Sequence, residues 1–169
     1  MPEPSSGAID ITRIRRVVTG HDEGDRSMCI IDGVSPHVRE LPEFPTFRFT
    51  DLWVAKTSPA DNSENSDDAE GPVAHVPPAG GNVFRVLEIA PDPPGVDMRT
   101  SGMHQTDTVD YVFVLSGAIT CVLEDGEVDL TPGDVLIQRG TRHAWSNRGE
   151  VPCVMLGVLV DALEVGIDG

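Results

Sequence analysis

The residue types best able to do chemistry fall in two patches, 104–117 (HQTDTVDYVFVLSG) and 132–147 (PGDVLIQRGTRHAWSN). If the first begins as a strand, His104 and Thr106 lie on one face, and Asp110 follows after a bend. His143 comes from a later strand, just beyond a glycine-containing turn. Two imidazoles and a carboxylate converge from such distant segments only if the sheet curls, and a closed barrel lined by alternate residues does that. Two His and one carboxylate suit Fe, Zn or Mn as a divalent ion, with positions left open for water or substrate. Such an ion polarises a carbonyl or lowers the pKa of a bound water. With no metal, one His serves as general base and Asp110 orients it. Both routes fit dehydration, decarboxylation or isomerisation of a small oxygenated compound. With iron, oxygen activation is a further route. No nucleophile constellation is visible, since neither Ser101 nor Ser116 stands in a nucleophile-elbow setting, so a lyase or isomerase is favoured over a hydrolase.

Other residues bear on the pocket. Val83, Arg85, Leu87 and Ile89 share one strand face, and Arg85 is the odd member. It either anchors a substrate carboxylate or pairs with a buried acid. Trp145, two residues after His143, faces the same way and shapes a pocket wall or fills the core. The Tyr111 hydroxyl is a proton donor if it reaches the pocket, and otherwise the ring is core or interface. Gln138 is placed to touch a ligand, and Thr106 to contact substrate or bond to Asp110. His21, His37 and His75 lie in irregular or polar segments and read as exposed. Cys121 and Cys153, in apolar runs, read as buried small hydrophobes.

The elements that must position these groups are short strands. Fourteen Pro and seventeen Gly punctuate the chain and leave little room for helices. A hairpin is expected from Ile14–Thr19 and Ser27–Ile31, then strands at 47–56, 82–90, 111–115, 118–124, 127–130, 135–138 and 154–160. Turns rich in Ser-Gly, Asp-Gly and Pro-Gly separate the later strands, as in a sandwich or barrel. Residues 57–79 are polar, acidic and proline-bounded, and read as a flexible loop. The organisation expected is an N-terminal extension with a hairpin and added strands (1–56), the acidic loop (57–79) and an all-β barrel (80–169).

The patches at 104–117 and 132–147 together resemble a known pair of motifs. They are similar to the two motifs of the cupin superfamily: His-x-His, three or four residues, Glu, six residues, Gly; and Gly, two residues, His, three residues, Asn. Asp110 to Gly117 keeps the six-residue gap, and Gly140, His143 and Asn147 keep the second spacing. The likeness spans roughly residues 80 to 160. Thr106 stands where the family has its second His, Asp110 where it has Glu, and Gln138 where a proline is expected. The resemblance implies a double-stranded β-helix, or jelly-roll-like, barrel of the small single-domain kind. It implies a metal site reduced to His104, Asp110 and His143, or none, and pairing of two copies into a homodimer. Lyase-type and oxygenase activities both occur among such proteins, and so do non-catalytic ligand-binding or regulatory barrels.

Composition sets the outer bounds. The 169 residues carry a formal net charge of −16, which disfavours phosphate backbones and so nucleic acid as a partner. The longest apolar stretch, Cys153 to Val160, is far below the ~20 residues of a membrane helix. The first ten residues lack the basic and apolar regions of a signal peptide. Three Cys with no paired spacing argue against a disulfide framework and for a reducing compartment, the cytoplasm. The expected partner is a small organic molecule.

Overall fold

The computed structural model describes residues 9–40, 45–71 and 75–166. The chain is nearly all β. Its strands are β1 (Arg15–His21), β2 (Ser27–Val34), β3 (Val38–Glu40), β4 (Phe47–Ala55), β5 (Asn82–Ile89), β6 (Thr108–Ser116), β7 (Ile119–Leu123), β8 (Glu127–Leu130), β9 (Val135–Arg139), β10 (His143–Ser146) and β11 (Cys153–Asp161), with one short helix, α1 (Met98–Ser101). No described helix is long and apolar enough to cross a membrane.

Two sheets face each other. The larger has the order β3-β4-β5-β11-β6-β9 and the smaller β10-β7-β8. Alternation on β6 shows how the sequence builds the interior. Thr108, Asp110, Val112 and Val114 are buried while Tyr111 and Phe113 are exposed, the period of two expected of a strand with one face on a core. Strand β7 is buried along nearly its whole length because β10 and β8 flank it. Val114, Ile119, Cys121, Trp145 and Met155 meet between the sheets. The β6–β7 turn requires Gly117, which has a φ of +74°, and a Cβ there would meet the Pro152 carbonyl oxygen at 2.6 Å.

The outer face of the larger sheet is covered at one end. Ile11, in a short 3-10 turn, is fully buried against Leu52, Val86 and Val154. Strands β1 and β2 pair as a separate two-stranded hairpin. Residues 57–71 carry no strand or helix, as their composition implies, but they are tied down. Asn65 bonds to His21, Lys56 to Asp68 at 2.8 Å, and Asp67 to both Arg16 and His37. His37, expected at the surface, is only 8% exposed because this non-local cluster closes over it. Cys121 and Cys153 are buried, and burial pushes both thiols up to about 11.

Candidate functional site

His104 and His143 come together through the backbone. They form an isolated antiparallel bridge, each N–H donating to the other's carbonyl at 2.9 Å. Residues paired directly across a ladder put their side chains on the same face. The two rings accordingly stand 4.3 Å apart between centroids, inclined at 53°. Gly140, with a φ of +60°, makes the turn from β9 that starts β10 at His143.

Each ring is fixed in the same way. His104 Nδ1 lies 2.9 Å from the Gly102 carbonyl oxygen, and His143 Nδ1 lies 3.0 Å from that of Thr141. A carbonyl only accepts, so Nδ1 carries the proton and the neutral ring presents an unprotonated Nε2 on its far edge. Trp145 packs edge-on against His143 at 5.6 Å between centroids. Burial pushes the His143 pKa down to about 4; the Thr141 carbonyl opposes this and the neighbouring His104 adds to it. His143 is thus held neutral.

The larger sheet supplies the charged groups. Asp110, on β6, is buried, and its Oδ1 has no hydrogen-bond partner among the described residues. Burial raises its pKa, against the pull of Thr108, His104 and Arg85. Arg85, on β5, is 2% exposed and donates from Nε to Asp51 on β4 at 2.9 Å. The β4–β5 register sets Asp51 directly opposite Arg85. The guanidinium also lies 5.0 Å over the Phe49 ring, a cation–π contact.

These groups line an inner cavity of about 70 Å³, whose other walls include Phe47, Leu87, Val112 and Met155. A second cavity of about 180 Å³ adjoins it and is walled by Pro93, Val96 and Met98. Phe47, His75 and His104 belong to both.

The structure thus gathers His104, Thr106, Asp110, His143, Trp145 and Arg85 around one space. Two expected residues fall elsewhere. Tyr111 is 49% exposed on the outer face, because Asp110 and Val112 on either side of it point inward. Gln138 is buried, but its amide donates to the Thr141 carbonyl at 3.1 Å and to the Thr141 hydroxyl, bracing the β9–β10 turn outside the cavity wall. Several lining residues escape a reading of motifs, among them Phe47, Phe49 and His75. The Phe47-x-Phe49 alternation was the available signal for the two Phe residues. His75 stands among prolines with no local pattern to place it.

Among the described residues, no group of three or more His, Cys, Asp or Glu side chains is gathered closely enough to hold a metal ion. The imidazoles pair on the smaller sheet's side, while Asp110 belongs to the larger sheet and is one methylene shorter than the Glu of the family motif. As placed, His104, Asp110 and His143 do not form the three-ligand set.

A β-barrel with polar groups inside and two motif histidines paired across an isolated backbone bridge defines a class, and the comparisons agree with it. Residues 92–159 match the cupin domain family model. The chain is 32% identical over 168 residues to a cupin-domain-containing oxidoreductase, fogC, of Aspergillus ruber, covering 94% of this chain and 78% of that one. It is 36% identical over 129 residues to phomopsin biosynthesis cluster protein C' of Diaporthe leptostromiformis, covering 72% of this chain and 65% of that one. Among solved structures, the cupin domain of Schizosaccharomyces pombe Cnp3 aligns with a TM-score of 0.50 at 12% identity, over 87% of each chain. The chain belongs to the cupin family.

Proposed function

We propose that this chain is a small-molecule enzyme of lyase or isomerase type, moving a proton on an oxygenated substrate inside the barrel. The observation that carries the proposal is the anchored imidazole pair, with both Nδ1 atoms bonded to backbone carbonyls and both Nε2 atoms left as acceptors. His104 is the base, because it borders both cavities and so meets an entering molecule. His143, kept neutral, tolerates a proton on its neighbour, where a second imidazolium at 4.3 Å would be repelled. Asp110, whose burial favours the protonated form, is the acid. In a dehydration, His104 Nε2 takes the proton from a carbon beside a carbonyl. That electron pair becomes the new double bond, the β-hydroxyl departs with the Asp110 proton as water, and transfer from His104 back to Asp110 resets the site. In an isomerisation the proton returns to another carbon. The relative named for a biosynthesis cluster supports a substrate from the assembly of a small organic product.

A second reading, oxygen or other redox chemistry with iron, is supported by the oxidoreductase names of four relatives and by the same Nδ1 anchoring, which is how metal-binding His side chains are oriented. It requires a third donor to join the two imidazoles.

One experiment separates the two. Hydrogen–deuterium exchange at the carbon beside the carbonyl of methyl ketones and β-hydroxy ketones is followed by NMR in deuterium oxide, with and without added iron. The proton-transfer reading predicts exchange by metal-free protein that is lost in His104→Gln. Absence of exchange, together with oxygen uptake that requires iron, would establish the redox reading instead.

A further inference from the structure

The shape and charge of the two cavities define a substrate class, which rests on reading the inner cavity as the reaction site. The inner space of about 70 Å³ is small against the ~300 Å³ or more of pockets that enclose a whole organic ligand. It takes a head of a few heavy atoms. The adjoining space of about 180 Å³ continues from it past Phe47 and His104.

Charge restricts the head. Arg85 is the only Lys or Arg among the described residues lining either cavity. Its charge is already matched by the buried Asp51 carboxylate at 2.9 Å. Asp110 adds a second acid on the same side. An anionic head would have to shed its hydration and gain only one cation, which is already bonded to the Asp51 carboxylate, and this is unfavourable in a buried setting. A neutral carbonyl or hydroxyl meets no such penalty and finds acceptor and donor partners at His104 and Asp110.

The outer cavity restricts the tail. Its walls at Phe47, Val96, Met98 and Pro93 offer apolar surface without a Lys, Arg, Asp or Glu among the described lining residues. Met98 is half-buried at the start of α1, an unbranched side chain that adapts to the shape beside it.

We infer that the substrate is an uncharged amphiphile, with a small oxygen-bearing head beside His104 and Asp110 and an apolar tail lying along Phe47, Val96 and Met98.

The test uses the full-length chain and a series of methyl n-alkyl ketones of increasing tail length, with alkanoates of matched length as the charged comparison. Binding is read by calorimetry. Each methylene laid in the outer cavity is expected to tighten binding roughly fourfold, until the tail outgrows it. The matched alkanoates are expected to bind at least about tenfold more weakly. Met98→Asp should flatten the dependence of affinity on tail length, and the exposed Val96→Asp is a second variant in case the first fails to fold. Affinity independent of tail length, tighter binding of the alkanoates, or no ketone binding at all would each overturn the inference. Deuterium exchange in the same samples keeps the two proposals apart. Tail-dependent binding without exchange leaves the substrate class standing and removes the proton-transfer reading. Exchange without tail dependence does the reverse.

Discussion

His143 is 3% exposed, and burial holds its pKa down to about 4 from an ordinary 6.5. The folded state therefore binds this proton less readily than the unfolded chain. Between those two pH values the unfolded state carries more protons, so stability is full above 6.5 and falls as the pH drops toward 4, by roughly 3 kcal/mol at most. Asp110 works in the opposite sense. Its pKa is raised, so it withdraws stability as the pH climbs above its ordinary 3.8. Replacing His143 with Gln removes the first contribution and leaves the second. Thermal midpoints measured from neutral pH down to about pH 4 should fall less steeply in His143→Gln than in the parent; equal slopes would mean that the imidazole is not held neutral. The Arg85–Asp51 pair invites a second residue-level test. Asp51→Ala leaves a buried guanidinium without the carboxylate to which its Nε donates, and should cost about 3–5 kcal/mol in denaturant unfolding. Replacing both with apolar residues of similar volume, Asp51→Leu with Arg85→Met, should restore most of that loss.

At the scale of elements, the hairpin and residues 57–71 hang on few contacts. Arg16 bonds at once to Asp67, the Leu52 carbonyl and His37, so it joins β1, β4 and the acidic segment. Asp67→Asn should leave the barrel folded, with a thermal midpoint close to the parent's, while amide exchange at residues 65–71 rises sharply. A matching loss of global stability would mean that this segment is part of the barrel's cooperative unit. Ile11→Ala should behave differently, costing about 2–5 kcal/mol, because Ile11 is fully buried on the outer face of the larger sheet. Which of these connections could be read in advance follows from their range. The hairpin and the strands at 47, 82, 127 and 135 were legible from alternation and turn residues, which are local. Strand β3, helix α1 and the burial of His37 were not, because three- and four-residue elements carry too little pattern and because His37 is covered by partners 21 and 30 residues away in sequence. In the candidate site, His143 and Trp145, two residues apart in the second motif, both line the cavity, and Trp145 belongs to the core as well. Asp110 and, as one alternative, Tyr111 were expected at the pocket, yet neighbours on one strand face opposite sides, and only Asp110 points in.

For the molecule as a whole the dominant quantity is charge. Twelve Lys and Arg face twenty-eight Asp and Glu, so most surface carboxylates lack a cationic neighbour whatever pairs form. Salt acts on this surface in two opposing ways. It screens favourable pairs such as Arg15–Asp32 and Arg148–Glu127, but exposed pairs contribute little and so have little to lose. It also screens the mutual repulsion of the excess of sixteen negative charges, which opposes the compact state and reaches over a Debye length of about 10 Å at 0.1 M salt. The second effect outweighs the first when the imbalance is this large. Raising sodium chloride from about 20 mM to about 300 mM at neutral pH should therefore raise the thermal midpoint by a few degrees. Near the isoelectric point, at about 4.4, the imbalance is gone and only the pairs remain to be screened, so the same addition should leave the midpoint flat or slightly lower. A midpoint that falls with salt at neutral pH would show instead that the ion pairs, and the Arg16 and Arg85 clusters beneath them, carry more of the fold's stability than repulsion removes.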